Sequence, residues 1–183
     1  MNPTENLTRE HKDIIELLNI MNKIADQIRS NEVFYTSDVE DILDFLLVFI
    51  EKFHHRKEEI FYPILVSAGI PEEPESISIM LYEHVLSRNY LNEISSCIQN
   101  CKIGNDFSGE LLAESLMKYV TLLKGHIKKE EKLIFPMANK ELSEEKLNEI
   151  YIQFEDIDKE SADLRTHDHY HSLLQNLKNK YTN

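Results

Sequence analysis

Two phrases in the chain place imidazoles one helical turn ahead of carboxylates. The first is HHRKEEIFYP, residues 54–63, and the second is HIKKEEKLIFP, residues 126–136. Side chains at i and i+4 on a helix have Cβ atoms about 5–6 Å apart, close enough to chelate one centre or two adjacent ones. Imidazole suits zinc, copper, iron and nickel, whereas carboxylate leans towards iron and manganese. Neither phrase contains a thiolate. The two cysteines, Cys97 and Cys101, lie elsewhere and four apart; they suit neither a disulfide framework nor a zinc site and read as reduced thiols.

Helices must carry these phrases. Four glycines and five prolines in 183 residues leave few turns and long elements. Helix one is expected over about Asn6–Ser30, with Leu7, Ile14, Leu18, Met21, Ala25 and Ile28 on one face. Helix two opens at TSDVE, where Ser37 and Glu40 read as a capping box, and runs to about Ser67. The segment AGIPEEPES breaks it. Helix three spans about Ser76–Lys102, ending near Gly104, and helix four about Ser108–Ala138. Two shorter helices follow, Ser143–Glu160 and Thr166–Tyr181, each opened by a Ser or Thr cap. The expected fold is all-α: an up-down four-helix bundle over residues 1–140, with two additional short C-terminal helices in 141–183 packed on its outside or end.

The first half of this bundle reads as a copy of the second. Glu10–His11 recurs at Glu83–His84, and Leu18–Asn19 at Leu91–Asn92, 73 residues later. From His11 to His54 is 43 residues, and from His84 to His126 is 42. Two helix pairs related by a pseudo-two-fold axis bring corresponding side chains to the centre. Helical phase then tests each candidate. His11 shares a stripe with Leu7, Ile14 and Leu18; His84 lies four after Met80 and seven before Leu91. His126 and Glu130 fall on the line through Leu116, Leu123, Ile127 and Ile134. In helix two the apolar line through Leu43, Leu46, Phe49, Ile50, Phe53, Phe61 and Leu65 places His54 and Glu58 on its flank and turns His55 and Glu59 to solvent. A buried carboxylate needs a partner. One tetrahedral zinc would use only four of the six donors His11, His54, Glu58, His84, His126 and Glu130, whereas two cations bridged by the glutamates use all six.

The rest of the chain narrows the partners. A net charge of −13 with no basic stripe makes nucleic acid and anionic membranes poor partners. No run approaches the roughly 20 apolar residues of a membrane span, and MNPTENLTRE lacks a signal core, so a cytoplasmic location is expected. His167 and His171 share a tail face with Tyr170 and Leu174 and are possible additional ligands or part of a lid; His169 points elsewhere. Gly125, directly before His126, could permit close helix approach or be incidental.

The combination of His11, HHRKEE, EHVLSR and HIKKEEKLIFP resembles the hemerythrin-like family, also called the HHE cation-binding domain, over about residues 5–140, and the tail THDHYHSLL is similar to that of stand-alone bacterial members. The resemblance implies a cofactor of two Fe ions with an oxo or hydroxo bridge. In it His11, His54, His84 and His126 would be terminal ligands and Glu58 and Glu130 bridges. The implied partner is a small oxidant: dioxygen, peroxide or nitric oxide. Hemerythrin proper has five histidines, the second on helix three a turn from the first; here Met80 and Arg88 stand at those positions. Four histidines and two glutamates resemble instead the di-iron proteins linked to iron–sulfur cluster repair, although their N-terminal cysteine segment is not seen. Such a set leaves two open positions on a pair of octahedral irons, against one for five histidines. Three functions follow: sensing or scavenging a small oxidant, storing or donating iron for cluster repair, and a structural zinc bundle or interaction module.

Overall fold

A computed structural model of the chain describes residues 2–70, 77–102, 108–163 and 166–181, and within the last two stretches the side chains of 161–168 are not described. The expected start of helix three at Ser76, most of AGIPEEPES and Gly104 lie outside these residues. Every described element is a helix: α1 Pro3–Arg29, α2 Thr36–Phe45, a π-helical segment Leu46–His54, α3 His55–Ser67, α4 Ile77–Lys102, α5 Ser108–Lys129, a second π-helical segment Glu130–Ile134, α6 Phe135–Glu141, α7 Glu144–Asp163 and α8 Thr166–Tyr181. The segments from α2 to α3 and from α5 to α6 each run without a break, so the chain forms four long rods, of which the second and fourth carry the two histidine phrases.

Local chemistry sets the ends of these rods. α1 starts three residues earlier than expected because the Asn2 side chain accepts from the Thr4 backbone N–H and Pro3 fits the first turn. Ser37 and Glu40 do not form the expected capping box. The cap lies two residues earlier, at Tyr35 in extended conformation and without a side-chain cap, so the helix starts at Thr36. At the other end of α1, Asn31 takes φ 54°, and Glu32 N–H reaches back to the Gln27 carbonyl. Gly69, with φ +89°, closes α3 in the same way, and Ile70 N–H donates to the Leu65 carbonyl. Both are left-handed C-terminal caps of the Schellman kind. Ser143 caps α7 as expected, accepting from Lys146 N–H at 3.2 Å.

The apolar interior comes in two clusters with a polar layer between them. The larger gathers Ile14 to Ile28 of α1 with residues of α2, α4 and α5, and α8 seals it through Tyr170, Leu174, Leu177 and Tyr181. The smaller joins Leu7, Phe61, Tyr62, Leu65, Met80, Ile134 and Phe135, and α7 seals it through Ile150 and Phe154. On each rod the candidate ligands fall where one cluster ends and the other begins: His11 between Leu7 and Ile14, His84 between Met80 and Leu91. No described helix is long and apolar enough to cross a membrane.

The left-handed cap at Gly69 yields a stability prediction. A Cβ there meets nothing within 4 Å, so Gly69→Ala strains the backbone without a clash. It should lower unfolding free energy by about 1 kcal/mol in denaturant titration, and no loss would mean that the cap is dispensable.

Candidate metal centre

The six residues singled out from the sequence meet in the polar layer, and a seventh joins them. His11, His54, Glu58 and Glu130 offer ligand atoms within 4.8 Å of one another, and so do His55, Glu58, His84 and His126. Glu58 belongs to both groups. Its Oε1 faces His54 Nε2 at 2.8 Å and His11 Nε2 at 3.9 Å, while its Oε2 lies 2.9 Å from His84 Nε2 and 3.5 Å from His126 Nε2. Glu130 Oε2 lies 3.2 Å from His11 Nε2 and 3.7 Å from His126 Nε2, so it too reaches both sides. Both carboxylates have no exposed surface, and the five imidazoles have 1% or less.

His55 was expected to face solvent, and it does not. It is fully buried, its ring stacked on that of His84 with centroids 3.9 Å apart and planes at 12°. The cause is the π-helical segment Leu46–His54. A π turn closes i→i+5 and so takes up one residue more than an α turn. Helical phase counted forward from Phe49 and Ile50 at α spacing therefore slips before it reaches the histidines. Both His54 and His55 turn inward, and only Glu59 of the outward pair remains exposed, at 43%. Helix two thus supplies a fifth imidazole, although Met80 and Arg88 of α4 supply none.

A ring of outer carboxylates, absent from the sequence reading, holds the imidazoles in place. His11 Nδ1 donates to Glu131 at 3.0 Å, His54 Nδ1 to Glu10 at 2.7 Å, His126 Nδ1 to Glu83 at 3.0 Å and His84 Nδ1 to Glu59 at 3.4 Å; His55 Nδ1 lies 3.3 Å from Glu51. A proton fixed on Nδ1 leaves Nε2 free to ligate, and the carboxylate makes it more basic. The repeat gives each pairing its double: Glu10 to His54 matches Glu83 to His126, and Glu131 to His11 matches Glu59 to His84. Lys57 backs Glu10 as Lys129 backs Glu83. The recurring Glu-His phrase was thus the available signal for two of these acids, each of which holds a histidine on the next rod rather than its own neighbour.

Two features break the symmetry. His55 has an isoleucine, Ile127, at the corresponding place, so one side holds three imidazoles and the other only His11 and His54. The Tyr62 hydroxyl donates to Glu130 Oε1 at 2.6 Å; burial, then Glu130 and Glu58, push its phenol well above the ordinary range. On the two-histidine side Phe135 stacks on His11 at 5.6 Å instead.

The centre fits a cation. His11 Nε2, His55 Nε2, His126 Nε2, Glu58 Oε1 and Glu130 Oε2 are buried polar atoms with no hydrogen-bond partner, although they crowd together. Such orphaned groups are costly unless something ligates them. Without a cation, protons take that role: burial works against the charged imidazole, but Glu130 and Glu58 outweigh it and push His11 up to about 10. His126 also rises to about 10, through the same two carboxylates and Glu83 against burial. Burial and the neighbouring His84 instead push His55 down to about 4. Of the possible tail ligands, His171 is exposed on α8 and enters neither group, and the His167 side chain lies outside those described. His169 is exposed. A Cβ on Gly125 would meet nothing within 4 Å, so no close helix approach depends on that glycine.

Two predictions follow from this geometry. His54→Ala and His55→Ala should each lower bound metal per chain in elemental analysis; full occupancy in His55→Ala would return that residue to a packing role. In the metal-free protein, His11 and His126 bind protons more tightly folded than unfolded, because about 10 exceeds the ordinary 6.5. Their stabilisation is complete below the unfolded value and declines as pH rises from about 6.5 to 10. Melting temperature of the metal-free chain should fall across that window, and metal uptake should release protons; a flat profile would contradict the assignment.

Comparison with protein-family models matches residues 2–138 to the hemerythrin HHE cation-binding domain. Neither curated proteins nor solved structures give a match. With the matched segment spanning both histidine phrases and all seven converging residues, the chain belongs to the hemerythrin HHE cation-binding domain family.

Proposed function

We propose that the chain is a non-haem di-iron protein that binds or reacts with a small oxidant (dioxygen, peroxide or nitric oxide) as a sensor or scavenger. The observation that carries this reading is the pair of donor groups sharing Glu58, with orphaned Nε2 and carboxylate atoms on both sides. His55, His84 and His126 would hold one ion, His11 and His54 the other, with Glu58 and Glu130 between them. Mixed imidazole and carboxylate donors without thiolate suit iron in this setting. The metal pair, when bound, supplies electrons and open coordination for the small ligand. On this reading the four rods form an up-down bundle, and residues 141–183 are an extension packed against it.

The unequal donor count decides where the small ligand has room. The side with only His11 and His54 has fewer protein donors, and five imidazoles leave one position fewer than the four expected from sequence. This moves the set towards ligand binding at one ion and away from the four-histidine arrangement on which the iron-donation reading rested. A groove of about 540 Å³ reaches the same side: it is lined by His11, Lys12, Ile15, Ile127, Lys128 and Lys132, among others. The chain's own residues then exclude water and fix the tautomers. Phe135 shields the His11 ring, Tyr62 holds Glu130, and the outer carboxylates keep Nδ1 of His11, His54, His84 and His126 protonated.

Protein purified from iron-replete cells should carry two irons per chain and show near-ultraviolet charge-transfer bands that change with azide, nitric oxide or dioxygen. A colourless, zinc-loaded protein indifferent to all three ligands would overturn the proposal in favour of a structural role.

A further inference from the structure

Lys57 is fully buried, an unusual place for a lysine. Its Nζ donates to Glu10 and to Asn6 Oδ1 at 3.0 Å, forms an ion pair with Asp158 Oδ1 at 2.5 Å, and lies 5.8 Å from the Phe154 ring centroid. Glu10 in turn accepts from His54 Nδ1. A continuous line of charged contacts thus runs from α7, which lies beyond the family-matched residues 2–138, to a ligand of the two-histidine side.

The repeat supplies an internal control. Lys129 holds Glu83 on the other half just as Lys57 holds Glu10, yet Lys129 is 36% exposed and among the described residues its ion pair is with Glu83 alone. Holding the outer carboxylate therefore requires neither burial nor a second acid. What α7 adds on the Lys57 side is an apolar cover that includes Phe154 and Ile150, and an anion, the 45% exposed Asp158, that shares the lysine's charge. Without Asp158, the Lys57 ammonium would draw on Glu10 unopposed. Glu10 would then hold His54 less firmly and make its Nε2 a poorer donor. Lys57 and Glu10, 0% and 17% exposed, feel that change with little screening, whereas the 45% exposed Asp158 carboxylate is partly screened by solvent.

We propose that Asp158 and Lys57 are positioning residues through which α7 sets how tightly the His11 and His54 side retains its cation. The proposal rests on the two-cation reading above. It differs from a general bracing role because the line of contacts ends at one ion's ligand only. The α7 helix is then a retention strut: contact at Asp158 keeps one ion in place, and loss of that contact frees it selectively.

The test uses the full chain loaded with ferrous iron, with release to an excess of chelator followed in time alongside the unfolding midpoint. Asp158→Asn should accelerate release of one ion by up to about tenfold and leave the other phase unchanged. Asp158→Glu should restore the slow rate. Asp156→Asn removes the same charge from an exposed position on α7 that pairs with Lys159, and should leave both phases at the wild-type rate. Unchanged release in Asp158→Asn, equal acceleration of both phases, or an identical effect of Asp156→Asn would each overturn the proposal. A wild-type chain that retains no pair of ions would instead sink the two-cation reading itself, and this inference with it.

Discussion

Two carboxylates without any exposed surface, Glu58 and Glu130, govern the rest of the molecule. An ionised carboxylate moved from water into an apolar interior costs several kcal/mol even after relaxation unless positive charge and hydrogen bonds compensate it. Around the pair the chain places five imidazoles, around these five outer glutamates, and around those Lys57, Lys129 and Arg88. Charge alternates outward in shells. Each shell is held by the one outside it, so removing one member leaves buried groups without partners.

Two apolar clusters keep the inner shells dry. The larger cluster below the polar layer is built from the regular parts of the rods and sealed by α8; the smaller above it is sealed by α7. The C-terminal helices therefore act differently. α8 ties its tyrosines to acids of α2, with Tyr170 donating to Asp44 at 2.8 Å, whereas α7 reaches the centre itself through Lys57. The two π-helical segments lie at the layer as well, the first running into His54 and the second starting at Glu130. Widened turns of this kind cluster at functional sites, where they point successive side chains into one space.

This pattern explains what could be read from the sequence. His11, His84 and His126 lie on regular α stripes, and Glu130 is only the first residue of the second π segment, so 3.6-residue spacing counted from the preceding turns turned all four inward. His54 and Glu58 were found from the repeat as much as from phase. His55 was lost because phase does not survive a π turn, and nothing in LLVFIEKFH marks where the extra residue enters. The outer acids were hidden for a different reason. Glu10 and Glu83 look like exposed helix residues beside a histidine, and only the packing of neighbouring rods shows which imidazole each one meets. The cover provided by α7 was equally illegible, since Lys57 and Asp158 stand far apart in the chain and neither has a distinctive surrounding. The Tyr35 boundary, without a side-chain cap, shows tertiary packing overriding a local signal.

The crossed clamps have a consequence for how such a site could arise. The first helix pair fixes His54 with its own Glu10 but leaves His11 to Glu131 of the second pair, and the second pair fixes His126 with Glu83 but leaves His84 to Glu59 of the first. A peptide of half this length would carry one oriented imidazole and one loose one. Two such peptides facing each other would satisfy both, with a proper two-fold axis where the present chain has only an approximate one. Joining them in tandem would then have released the halves to diverge, and an isoleucine on one side opposite a histidine on the other is the trace such divergence leaves.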